Sequence, residues 1–300
     1  MCTSQSAILP EAGPFALYSL LKIHQHPQKV LQALQTLPNQ VEQLNSQYAD
    51  ANLHLSIAFT KQCWQHFDAP TPDELIEFPE FGEGDVFAPS SDVDVLIHCH
   101  SHRADLHFHL LDTLMNDIKT CVSIVDETPA FRYLDARDMT GFVDGTENPK
   151  QQQRQQVAVI PEGPFSGGSY VMLQRFVHEL DGWKVLPTEE QEVIIGRTKV
   201  DSIELDDVAS ASHVGRVDLK EQGKGLKIVR HSLPYGTVSG EHGLLFIAYC
   251  NTIHNFQAML ESMYGSRDGT KDQLLNYTKA VTGGYFFAPC QKMLTNLQVI

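Results

Sequence analysis

The chain is short of the features that would suit it to polyanions or bilayers. Only 22 of its 300 residues are Lys or Arg, against 37 Asp or Glu, giving a formal net charge of −15 at pH 7. A surface of that sign repels phosphate backbones and anionic headgroups, which excludes nucleic acid and membrane surfaces as partners. No apolar run approaches the ~20 residues that a membrane helix requires. The opening stretch MCTSQSAILPEAGPFALYSL has neither a basic segment nor a twin-Arg pair, so nothing in it marks export. Cysteines are also sparse. Cys2, Cys63, Cys99, Cys121, Cys250 and Cys290 are scattered, and no two form Cys-x-x-Cys, which excludes a zinc knuckle and a thioether-attached cofactor. Several lie in apolar, strand-like runs where a thiol behaves as a small hydrophobe, so the expectation is a reduced, cytoplasmic protein.

What is present is a repeated alternation of strand and helix patterns. Residues 14–23, 53–60, 94–101 and 121–134 read as strands. Residues 30–44 have helical apolar spacing interrupted by Pro38, and 104–118 form a helix with a stripe at Leu106, Leu110, Leu111 and Leu114. The Pro- and acid-rich stretch 65–90 reads as a long connection. The order strand, helix, strand, strand, helix, strand is the ferredoxin-like arrangement. The second half repeats it, with strands at 169–183, 243–250 and 283–289 and helices at 188–199 and 255–264. VLIHCHSHRADLHFHLLDTLM and LLFIAYCNTIHNFQAMLESMY share apolar spacing, matching Ile97 with Phe246, Leu111 with Leu260 and Leu114 with Met263. The fold class expected is α+β, built from two ferredoxin-like halves, each an antiparallel sheet with helices packed on it. The polar tract PKQQQRQQ (149–156) has no apolar face and reads as a linker, dividing the chain into 1–150 and 151–300.

Three segments hold candidate chemistry. HCHSHRADLHFH (98–109) is dense in histidine, with His98 and His100 on one strand face, but no carboxylate or cysteine stands at matched spacing on a second element. Strand plus helix explains it. A His-rich metal-binding module is therefore the weaker alternative. ASHVGRVDLKEQGKGLKIVRHSLPYG (211–236) places two extended stretches around a Gly-Lys-Gly turn, and a regular hairpin would bring His213 beside Arg230 or His231. GFVDGTENP (141–149) contains a tight-turn Asp-Gly pair and an Asn-Pro breaker. Alone it is a surface turn, or else a stiff loop holding Asp144 where a carboxylate is needed.

GFVDGTENP, HVGRVDLKEQGKGLKIVRHSLPYG and TGGYFFAP (282–289), in that order, resemble the dye-decolourising peroxidases, a family of haem-b enzymes. The resemblance runs over nearly the whole chain and is nearest to the shorter bacterial members. It implies one haem b per subunit, hydrogen peroxide and aromatic reductants as substrates, activity favoured in mild acid, and a homo-oligomer. His213 then matches the proximal iron ligand, Asp144 the distal acid–base and Arg230 the distal cation. Opposite haem faces require His213 and Arg230 to lie apart, against the hairpin reading.

The residue types suit those roles. A neutral imidazole leaves the far side of a haem iron open, and an acid on its other nitrogen increases its basicity; Asp272 and Asn276 are both candidates for that partner. A carboxylate base stays ionised in mild acid where a distal His would be protonated. Arg230 keeps its charge and stabilises an oxygen anion. Ser232, where the family often has Asn, falls on the face of Arg230 if the stretch is extended. Thr146, Asn148 and Arg197 are candidate contacts for haem carboxylates. Tyr133, Tyr235, Trp64 and Trp183 are candidate electron relays, with core packing the plainer explanation. A haem-handling protein, storing haem or removing its iron, would use the same pocket.

Overall fold

The computed structural model describes residues 2–300. Ten strands carry the architecture: β1 (Phe15–Ile23), β2 (His54–Phe59), β3 (Val95–Ser101), β4 (Val122–Phe131), β5 (Ser169–His178), β6 (Val229–Arg230), β7 (Leu233–Gly236), β8 (His242–Cys250), β9 (Thr278–Ala280) and β10 (Gly284–Ala288). The first sheet runs β4-β1-β3-β2. In the second, β5 and β8 are central, with β10 and β9 along the outer side of β5 and β7 and β6 along the outer side of β8. Counting each broken edge as one strand, the second sheet has the same order as the first, so both halves are ferredoxin-like. The two sheets meet at two narrow seams, Tyr235 opposite Ala130 and Phe287 opposite Phe59, and together close into a barrel.

Period-two alternation assigns the two faces of every strand. Ala16, Tyr18 and Leu20 of β1, Val171 and Leu173 of β5, and Leu245, Ile247 and Tyr249 of β8 point into the barrel and form one buried cluster. The outer face of the first sheet is covered by α1 (Pro27–Gln47) and α2 (Ala104–Ile118). The α2 stripe expected from sequence is buried as Leu106, Leu110, Leu111 and Leu114, each stabilising by roughly 1.5–3 kcal/mol relative to exposure. Pro38 does not interrupt α1. Leu34, Leu37 and Val41 are buried around it, and that packing outweighs the ~3 kcal/mol preference against an interior proline.

Three further expectations need correction. The tract taken as a linker is helical from Gln152 to Ala158 (α3), because Arg154 is buried and donates to Leu9 O, Pro10 O and Pro149 O. The strand read over 169–183 ends at His178, after which Leu180–Lys184 forms a short helix (α4) capped by the Glu179 side chain, and the helix expected over 188–199 spans Thr188–Ile195 (α5). Cys2 and Cys290 are joined in a disulfide, so four cysteines rather than six are free thiols. That bond fastens an N-terminal arm whose Gln5 side chain donates to Ile57 O and Pro289 O across the end of the barrel.

Candidate active site

A cavity of about 490 Å³ lies on the outer face of the second sheet, the face left by the inward residues. Met172 and Phe176 of β5 and Leu244 and Phe246 of β8 form one wall, and Met259 and Met263 of α7 (His254–Met263) another. The lining is mostly apolar, with charged groups at a few points. Asp144, Arg230 and His213, which the sequence places far apart, all open into this one cavity.

His213 is the first residue of α6 (His213–Val217). Ser212 precedes it as N-cap, its Oγ accepting from Gly215 N at 3.1 Å and donating to Ala209 O at 2.7 Å. Arg216, one turn on, is buried and reaches Ser262 Oγ at 2.8 Å and the Asp268 carboxylate at 3.0 Å, locking α6 onto α7. His213 Nδ1 lies 2.7 Å from Asp272 Oδ2, and the other oxygen of Asp272 accepts from Leu274 N at 2.9 Å. Asp272 is 1% exposed, whereas Asn276 points to solvent, so Asp272 is the partner of the imidazole. With Nδ1–H donated to that carboxylate, Nε2 presents a lone pair, the tautomer a metal requires.

Asp144 comes from the turn GFVDGTENP. Gly141 and Gly145 have φ of 91° and 85°, left-handed values that favour glycine, and a Cβ on Gly141 would meet Lys199 Cε at 2.7 Å. Arg137 staples the turn, donating to Gly141 O at 2.8 Å and Lys199 O at 2.6 Å, while Asp144 N donates to Ala136 O at 2.9 Å. Arg230 sits on β6, paired with Ala248 of β8, and its Nη1 lies 3.2 Å from Asp144 Oδ1. The hairpin in this region is confined to residues 219–226, and His213 shares no backbone pairing with Arg230.

The remaining candidates separate. Arg197 and Thr146 line the cavity at its rim. Arg197 donates to Glu147, Glu204 and Ser202 O at 2.9, 3.0 and 2.8 Å, and Thr146 Oγ1 meets Ser202 Oγ at 2.8 Å. Asn148 and Ser232 do not line it. The Asn148 amide is committed to the backbone of Arg230, donating to its O at 2.8 Å and accepting from its N at 3.0 Å. Ser232 Oγ accepts weakly from Ile247 N at 3.4 Å. Trp64 and Trp183 are buried, each indole N–H bonded to a backbone carbonyl, and neither they nor Tyr133 and Tyr235 line the cavity. No group of three metal-ligating side chains occurs among the described residues. The histidines of 98–109 are divided between the barrel interior (His98, His100), the underside of α2 (His107) and solvent (His102, His109).

Sequence reasoning missed one polar chain in the cavity wall. His178 Nε2 lies 2.9 Å from Asp138 Oδ1, and its Nδ1 lies 2.7 Å from Thr278 Oγ1. Burial would raise the Asp138 pKa, but the charge and hydrogen bond of His178 and two bonds from Thr140 bring it down to about 2. No local pattern announces the chain, since Asp138 and Thr278 lie 40 and 100 positions from His178.

Fold and cavity together define an α+β enzyme with an imidazole–carboxylate pair and an Arg–carboxylate pair at one site. The chain belongs to the Dyp-type peroxidase family: residues 5–132 match its N-terminal model and residues 135–293 its C-terminal model. It is a peroxidase. Among curated relatives, the dye-decolorizing peroxidase of Mycolicibacterium paratuberculosis is 36% identical over 94% of this chain and 82% of its own, and that of Mycobacterium tuberculosis is 39% identical over 81% and 75%. Among solved structures, a dye-decolorizing protein from V. cholerae is 64% identical with a TM-score of 0.98, covering 99% of this chain and all of its own. A Rhodococcus jostii DypB variant solved in complex with heme is 30% identical with a TM-score of 0.93, covering 99% of both chains.

Proposed function

We propose that this peroxidase binds one haem b per subunit in the cavity and reduces hydrogen peroxide while oxidising dyes and other aromatic donors, most effectively in mild acid. The observation that carries this reading is the His213–Asp272 pair opening into the same apolar cavity as Asp144 and Arg230. The cavity fits such a group. Its volume lies within the ~300–1,000 Å³ usual for cofactor pockets, its Met, Leu and Phe walls suit a flat apolar ring, and Thr146 and Arg197 could meet the ring's carboxylates, Arg197 by exchanging Glu147 or Glu204 for one of them. Haem, when bound, supplies the electrons that peroxide takes up and recovers them from the donor.

His213 Nε2 would hold the iron, and Asp272, by accepting the Nδ1 proton, fixes the ring and raises its basicity. Asp144 is the proton carrier. Its carboxylate takes a proton from one peroxide oxygen and delivers it to the other, which leaves as water. Arg230 donates N–H to the oxygen on which negative charge develops, and Asn148 keeps that guanidinium aimed by holding the backbone behind it. Asp144 thus comes from residues 1–150, and His213 and Arg230 from residues 151–300. Reconstituting the purified protein with haem and adding peroxide with an anthraquinone dye tests the reading. Bleaching of the dye with consumption of peroxide is expected; release of iron-free porphyrin without peroxide would overturn it.

A further inference from the structure

A second cluster of ionisable side chains lies outside the cavity, inside the closed barrel. Tyr18 of β1, His98 and His100 of β3, Tyr249 of β8 and His231, just after β6, all lie there, and none is more than 1% exposed. The Tyr249 hydroxyl is 2.7 Å from Nδ1 of His98. Tyr18 stacks on His98, its ring centroid 4.8 Å from that of the imidazole and the planes 2° apart. His98 Nε2 has no hydrogen-bond partner among the described residues. The phenol donates to Nδ1 of the imidazole, which leaves the ring proton on Nε2. Burial pushes the Tyr249 phenol up and the His98 imidazole down, so the resting pair is neutral.

The pair is sealed from water but close to the cavity. Tyr249 is the register partner of Val229, and its neighbour Ala248 is the partner of Arg230. Phe246, on the other face of the same strand, lines the cavity. One sheet layer, on the order of 10 Å, separates the two sites. An electron can cross that distance, whereas peroxide, dye and solvent cannot. A phenol whose proton has a built acceptor and no exit can be oxidised reversibly.

We propose that Tyr249, through its hydrogen bond to His98, is an internal one-electron donor used when peroxide has been reduced and no reducing substrate is present. Peroxide reduction in the cavity removes two electrons. Tyr249 would replace one of them: its O–H bond breaks, the electron passes to the haem that peroxide has oxidised, and the proton forms a new N–H bond at Nδ1 of His98. A neutral phenoxyl then stands beside an imidazolium. When a donor arrives the electron returns, and the proton returns with it. The pair is thus a temporary store that spares other side chains from oxidation.

This inference rests on the peroxidase reading, and the experiment separates the two. Haem-loaded protein is mixed with peroxide without donor, frozen within the reaction and examined by electron paramagnetic resonance, with peroxide consumption followed in parallel. A tyrosyl signal is expected in the natural chain, kept in Tyr18→Phe and Tyr235→Phe and lost in Tyr249→Phe, which preserves the ring. Electron–nuclear double resonance should show one proton hydrogen-bonded to the phenoxyl, and His98→Asn should abolish that coupling. A signal unchanged in Tyr249→Phe, or peroxide consumption with no tyrosyl signal at all, overturns the proposal and leaves the peroxidase reading standing. No peroxide consumption overturns both. Should Tyr249→Phe fail to fold, retention of the coupled proton in His98→Asn overturns the proposal by itself.

Discussion

Asp272 shows how much a single side chain decides. Its carboxylate is almost wholly buried and has both oxygens committed, one to His213 and one to the backbone of Leu274. Replacing it by Asn would keep the shape and remove the charge, so haem should still bind while its iron becomes easier to reduce. A measured rise in the ferric/ferrous midpoint potential of Asp272→Asn checks this. His213→Ala removes the proposed ligand itself, and the expected outcome is loss of the Soret band after gel filtration of the reconstituted protein. At the other pair, Arg230→Leu deletes the donor proposed to meet developing negative charge, a loss that typically costs ~10²–10³ in rate. Stopped-flow measurement of the peroxide reaction should show that loss with haem binding intact. Asp144→Asn should slow the same step, because the amide cannot accept the proton that the carboxylate carries.

Elements decide whether those side chains meet. Strand and helix periods made the two ferredoxin-like halves legible, since alternation at Ala16, Tyr18 and Leu20 and the stripe of α2 are local patterns. The site was legible only through resemblance to a family, because nothing near His213 in the chain announces Asp272. Two elements were misread for one reason. A helix at Gln152–Ala158 and a proline inside α1 are both held by distant packing, Arg154 against Leu9, Pro10 and Pro149 in the first case and the apolar core in the second. Asn148 was read as a ligand contact because a polar side chain beside a catalytic loop is a natural donor; its partner, the edge strand β6, lies 82 residues away. Asn148→Ala should therefore act through β6. Losing two hydrogen bonds, it should cost ~1–3 kcal/mol in denaturant unfolding and slow the peroxide step less than Arg230→Leu does.

The barrel interior sets how the whole molecule responds to acid. His98, His100 and His231 are buried and neutral: burial lowers all three, His231 to about 3, with Arg154 and neighbouring histidines adding repulsion. Tyr18 and Tyr249 share the space, and Asp144 is near enough to raise Tyr18 further. In the unfolded chain these histidines titrate near the ordinary value of about 6.5. Below that pH the unfolded state takes up protons that the folded state refuses, so stability falls as pH falls. Each histidine contributes a slope of about 1.4 kcal/mol per pH unit until its folded pKa is reached. Thermal unfolding of the haem-loaded protein should show a melting temperature that drops steeply between pH 6.5 and 4, and His98→Gln should flatten the slope. A flat profile would remove the neutral cluster from the account.

The two seams also have a meaning in time. Every strand of the first sheet lies between residues 15 and 131, so that sheet can form while the second half is still being synthesised. Closure cannot. Tyr235 must find Ala130 and Phe287 must find Phe59, pairings of long sequence separation that are slow to form. Until Phe287 has emerged, β2 is a bare hydrogen-bonding edge, the kind of surface on which nascent chains stick to one another. The bond between Cys2 and Cys290 joins positions 288 apart, so it belongs to the end of that sequence of events, sealing a ring whose first and last pieces are the last to meet.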